Sequence, residues 1–172
     1  MKKINVQQYI QLTDRTEYDL LLSHLLPDNV YNINISDISY TNVKYCIDLM
    51  RELDNWNKVK ELFELCFNET DFYNLDIVKY FTAKNYLIQH FKIIVDNENK
   101  MSKGGNIDLG KWQMAGGDRL KPFNNVLPLD ALSQRYGGSP FDWGRKPYGE
   151  VFYLIAMTKT SNEVNENYNK QK

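Results

Sequence analysis

The stretch that most constrains the fold is residues 75–99, LDIVKYFTAKNYLIQHFKIIVDNEN. Leu75, Val78, Leu87, Phe91 and Ile94 fall on or near one face at helical spacing. With Phe72 and Tyr73 just ahead of it, the region gathers six aromatics (the others being Tyr80, Phe81, Tyr86 and Phe91), and it is apolar on more than one side. Such a helix has to be covered by neighbours, within the fold or between subunits. The rest of the chain must therefore supply other helices, and most of it reads that way. NVQQYIQLTDRTEYDLLLSHLL (5–26) predicts one or two short helices, with Thr13 or Asp14 as an internal cap and Pro27 as the stop. Ser39 or Thr41 caps a helix carrying Val43, Ile47, Met50 and Leu53. Asn55 restarts another with Trp56, Val59, Phe63 and Cys66 as its stripe. Between them, the loose alternation of Val30, Ile33 and Ile35 allows a minor short strand.

Residues 100–127, KMSKGGNIDLGKWQMAGGDRLKPFNNVL, lack helical periodicity and carry five glycines. They are expected to form one long irregular loop, an extended arm whose Trp112, Met114 and Phe123 order against a partner. PLDALSQRYG then predicts a short helix, with Pro128 in its first turn and Gly137 at its C′ position. Ser139-Pro140 starts a single further turn, and Pro147 opens a last helix with Val151, Leu154, Ile155 and Thr158 on its apolar side. The expected fold is all-α, with five to seven helices and the loop at about 100–127. Its parts are a helical domain at 1–99, the arm at 100–127, and a C-terminal helical segment at 128–172 packing on the same domain.

Composition narrows the function classes. The 172 residues have a net charge of −1, no apolar run approaches membrane-spanning length, and no apolar stretch follows the two N-terminal lysines. A soluble protein of the cytoplasm, or of something assembled there, is expected, with no membrane contact. Cys46 and Cys66 lie in apolar helical contexts and read as buried thiols, while His24 and His90 stand isolated in plausible core positions. Neither pair has metal-ligand spacing, so no metal and no cofactor are expected. The glycine- and lysine-containing segments at 103–112 and 115–122 follow no apolar strand and match neither phosphate-binding pattern. Ser133, Ser139, Asp130 and Asp142 cluster in sequence, but the nearest histidine, His90, is forty or more positions away. Capping accounts for Ser139 and Asp142, and no enzyme is expected.

Charge is unevenly placed. Residues 1–99 hold 10 basic and 15 acidic side chains, whereas 100–172 hold 11 and 7. The basic excess comprises Lys103, Lys111, Arg119, Lys121, Arg135, Arg145 and Lys146, together with Lys100. These interleave with aromatics, a mix that suits either phosphates and bases or an acidic neighbour. With no recognition-helix motif and a slightly negative whole chain, the neighbour is favoured, and a copy of the same chain offers the required acidic region. SQRYGGSPFDWGRKPYG (133–149) reads as a stiff docking element, since Pro140 and Pro147 preset φ and Tyr136, Phe141, Trp143 and Tyr148 give large contact areas. Fastening the last helix to the core explains the same aromatics. The subunit-interface candidates are thus Trp112, Met114, Phe123, Tyr136, Phe141, Trp143 and Tyr148.

ALSQRYGGSPFDWGRKPYGEVFYLI (131–155) resembles the C-terminal segment of small helical proteins of tailed bacteriophages, including crAss-like phages of gut bacteria. There a short helix, a G-x-S-P-like turn and a P-Y-x-E-V helix start follow one another. The resemblance covers about the last forty residues with any specificity and carries no catalytic residue. It implies a virion structural protein, a ring or connector subunit of the neck or tail, assembled in the host cytoplasm. Its partners would be copies of itself and other neck or tail proteins, with DNA contact in a channel as a further role for the basic residues. The alternative is a tail-assembly chaperone, outside the particle, that holds an unfinished tail protein through apolar helix faces. A reading from another class is a host-directed regulator or small enzyme.

Overall fold

A computed structural model describes residues 3–102 and 109–170. These residues are mostly helical, with nine α-helices and three short 3-10 segments, more than the five to seven helices expected. No strand occurs among them; the only pairing of that type is two isolated bridges. The expected strand near Val30 is a loop instead. Asn32 there takes a left-handed φ of 50°, and the Asn29 side chain both accepts from the Ile33 N–H (3.0 Å) and donates to its carbonyl (2.7 Å).

The chain forms two compact units, each assembled from separate pieces of sequence: Met1–Ile35 with Tyr45–Asn97, and Ser36–Lys44 with Glu98–Lys172. Residues 36–44 thus belong with the C-terminal part of the chain.

The first unit contains α1 (Val6–Ile10), α2 (Thr16–Leu22), the second half of α3 (Tyr40–Leu49), α4 (Trp56–Phe67) and most of α5 (Ile77–Ser102). Local chemistry sets the starts of these helices. Asn5 and Gln8 form a reciprocal capping box at α1, the Asp14 carboxylate accepts from the Thr16 N–H (2.9 Å) ahead of α2, and Asn55 caps α4. Asp76 accepts from the N–H groups of Val78 and Lys79 at the start of α5. Asn68, with φ of 53°, closes α4 in the left-handed region. The core is aromatic: Phe63 lies within 5.3 Å of the ring centres of Phe67, Phe72 and Tyr80, and is fully buried. Val6, Val59, Leu62 and Ile77 fill the space around them. Of the row expected here, Leu75, Leu87 and Phe91 are buried, Ile94 is half-buried and Val78 is exposed; Ile77, Tyr80, Ala83 and Tyr86 complete the buried side of α5.

The second unit contains the first half of α3, the end of α5, α6 (Leu109–Met114), a 3-10 segment at Gly117–Phe123, α7 (Leu127–Tyr136), α8 (Pro140–Arg145) and α9 (Tyr148–Lys170). The long irregular loop expected at 100–127 is helical over most of its described part; residues 103–108 lie outside the described residues. Two of the glycines that suggested a loop, Gly116 and Gly117, serve a tight turn. Gly116 has φ of +80°, and a side chain on Gly117 would sit 2.1 Å from the Trp112 indole, which folds directly over that backbone. At α8 the predicted start is observed in full, with Ser139 and Asp142 forming a capping box and Pro140 in the first turn. Each unit joins the starts of two helices by one antiparallel bridge, Asn5 with Asp76 in the first and Ser39 with Pro147 in the second.

Candidate interaction surface

The seven predicted contact residues divide by burial. Trp143 and Tyr148 are core residues of the second unit, 8% and 4% exposed, and so are not free anchors. The Trp143 ring N–H donates to the Gly137 carbonyl (2.9 Å), and Tyr148 is stacked between Tyr40 and Phe152. Tyr136, with a ring centre 6.0 Å from that of Trp143, is 41% exposed, and Phe141 is open to solvent. Trp112 is half-buried over Gly117, whereas Met114 is 90% and Phe123 55% exposed.

Met114 and Phe123 belong to a larger set. Leu120, Val126 and Leu127 are also exposed. In a 3-10 segment the side chains of residues three apart eclipse one another, so Leu120 and Phe123 share one row. Asp118 and Lys121 share the next and form an ion pair of 2.8 Å. Arg119 stands on the third row with Pro122. Residues 114–127 thus carry several exposed apolar side chains, with Leu120 and Phe123 on one row, in a segment that is basic by count: Lys111, Arg119 and Lys121 against Asp118 over 109–127. Among the other expected basic residues, Arg135 lies over the Tyr136 ring (5.6 Å), Arg145 is 3.7 Å from Asp142, and Lys146 bonds Glu150 (3.0 Å) while sitting over Trp143. Those three spend their charge locally. Lys103 lies outside the described residues.

Two features were not predicted from the sequence. Leu20, Leu21 and Leu26 of the first unit are exposed, Leu26 at 81%, beside Glu17 and Asp28. His24 in the same segment is also exposed, contrary to its expected core position. The second feature is a polar cluster in the second unit. Lys44 and Glu98 form a 2.6 Å ion pair, each side chain about one-fifth exposed, and the Tyr148 hydroxyl donates to the other Glu98 oxygen (3.0 Å). The cluster borders a cleft of about 150 Å³ that is also lined by Met101, Pro128, Phe152 and Ile155. Its charges satisfy one another, so the cluster fastens the start of α3 to α5 and α9 within that unit. No signal in the sequence links Lys44 to a residue 54 positions away.

Burial, then the nearby Glu98 carboxylate, pushes the Tyr40 hydroxyl up to about 12 and raises that of Tyr148 further. Burial and a hydrogen bond to Asp19 do the same for Tyr9, to about 12. An unfolded tyrosine loses its proton near about 10. Above that pH the unfolded chain therefore holds fewer protons than the folded one, and stability falls. Thermal melting across the alkaline range is expected to show full stability below about pH 10 and a steep loss on approach to about 12. A flat profile over that interval would contradict the assignment.

Cys46 and Cys66 are buried free thiols, as predicted, but they are neighbours, with sulfurs 3.6 Å apart. No group of residues that could hold a metal ion occurs among the described residues, and none of their helices is long and apolar enough to cross a membrane. Compared with known protein families, curated proteins and solved structures, the chain matches none of them.

Proposed function

We propose that this chain is a structural subunit that acts through protein–protein contacts, in the neck or tail of a tailed bacteriophage. The observation that carries the reading is the strip of exposed apolar side chains on 114–127, with Met114 and Phe123 projecting from a short, tightly turned scaffold. Large apolar side chains left exposed on one short segment are what a contact face requires. The resemblance of residues 131–155 to small helical phage proteins supports the setting. Within this reading α7, α8 and the glycine turn between them form the rigid base of the subunit, with Phe141 as its exposed aromatic. Quantitative mass spectrometry of purified particles, counted against the major capsid protein, is expected to give a fixed copy number. Absence from particles of a chain abundant in infected cells would overturn the reading in favour of an assembly chaperone.

A further inference from the structure

We propose that Cys46 and Cys66 are a peroxide-sensitive dithiol, closing to a disulfide that pins the second half of α3 to α4 within the first unit. They are the only two cysteines of the chain, and they come from different helices, twenty positions apart. Their sulfurs nevertheless meet at 3.6 Å. A disulfide bond needs about 2.05 Å, so rotation of the two side chains, with a small shift of one helix, closes the remaining gap. Cys46 is fully buried and Cys66 is 6% exposed. Bulky reagents are therefore excluded, while peroxide, little larger than water, reaches the pair through local opening. A hydrogen bond with Cys46, then burial, raises the Cys66 thiol above its ordinary range, and a thiol that holds its proton reacts slowly. The first oxidation is thus the slow step. The second is fast, because the partner sulfur is already in contact.

In the first step the Cys66 sulfur, its proton lost to water, takes one oxygen from peroxide. The O–O bond breaks and hydroxide leaves, giving a sulfenic acid. The Cys46 sulfur then attacks the Cys66 sulfur; the S–O bond breaks, and the departing hydroxide takes the Cys46 proton. Two thiols give up two electrons, and peroxide becomes two molecules of water. The closed loop holds the end of α3, the connection at 50–55 and nearly all of α4. Closing it removes freedom from the unfolded chain, which stabilises the first unit. The pair needs no partner protein, so its test is separate from the particle count.

The test treats the full chain with excess hydrogen peroxide, quenches it, unfolds it and alkylates the remaining thiols. Peptide mapping by mass spectrometry then keeps oxygen gained by methionines apart from the cysteines. The expected product is a linked peptide pair joining Cys46 to Cys66, lighter by two hydrogens than its parts and without an alkyl group. Dithiothreitol should return both thiols. The rate should not change with protein concentration, because the cross-link lies within one chain. The oxidised form should melt higher by about 4 °C or more, and the rise should vanish on reduction. Cys46→Ala and Cys66→Ala, checked for helix content by circular dichroism, should each lose the cross-link and the rise. Thiols that stay alkylatable, oxidation that ends as a sulfinic acid on one cysteine, or a cross-link between two chains would each overturn the dithiol. An unchanged or lower melting midpoint would overturn the pinning. All of these readings come from the wild-type chain, so a variant that fails to fold leaves them decisive.

Discussion

Replacing Phe63 with alanine is expected to cost roughly 3–5 kcal/mol, the range for removing a buried phenyl ring, and to bring the first unit close to unfolding. Phe63 is fully buried at the centre of a ring cluster with Phe67, Phe72 and Tyr80. It is held by α4 against the 3-10 turn at Phe72–Asn74 and the first turns of α5. Those rigid neighbours cannot collapse into the space an alanine leaves, so the cavity term adds to the lost transfer energy. A domain of ordinary stability has only about 5–15 kcal/mol in total, and the melting midpoint should fall by on the order of 10 °C. Val164→Ala on the exposed part of α9 serves as the control and should change stability by no more than about 0.5 kcal/mol. Denaturant titration checks both, and a loss below about 1 kcal/mol for Phe63→Ala would mean that the cluster is not the core described above.

Glu98→Ala is expected to have the second-largest effect. It strips the partner from the Lys44 ammonium and from the Tyr148 hydroxyl together, in a place where water reaches each only in part. Leaving two such groups unpaired costs about 2 kcal/mol or more. Glu98→Gln separates the contributions, because it keeps an acceptor for Tyr148 and removes the charge that faces Lys44. Its loss should be smaller. It should also move part of the alkaline transition to lower pH, because the carboxylate is one of the causes that hold the proton on Tyr148, while burial remains. Equal losses for Ala and Gln would place the whole effect in the charge pair and none in the tyrosine hydrogen bond.

How far the sequence could be read depended on whether the information was local. Caps are local, and Asn55, Ser139 and Asp142 act where side-chain chemistry placed them. On α5 the row held at Leu75, Leu87 and Phe91, but Ile77 and Val78 are both apolar neighbours and sequence does not choose between them; packing buries Ile77. Glycine content misled at 100–127. Gly117 is small so that Trp112 can lie on the backbone, a packing need that leaves the same sequence mark as flexibility. The aromatics of 133–149 allowed two uses, and burial divided them, with Trp143 and Tyr148 inside and Phe141 outside. The exposed leucines at 20 and 21 on α2, and at 26 beyond it, look like core residues in any sequence, since hydrophobicity alone does not say which apolar side chains are left uncovered.

The bridge between Ser39 and Pro147 has a consequence for biosynthesis. Tyr40 donates its N–H to the Lys146 carbonyl and Tyr148 donates to that of Ile38, at 2.9 and 2.8 Å, so the start of α3 is tied to residues made more than a hundred positions later. All residues of the first unit have been made once Asn97 is added, while most of the second unit is still to come. The segment 36–44, by contrast, emerges early and must wait for α9. In that interval Tyr40 lacks both the Lys146 carbonyl that accepts from its N–H and the Tyr148 ring stacked on it, so an early aromatic side chain stays uncovered until the last helix begins.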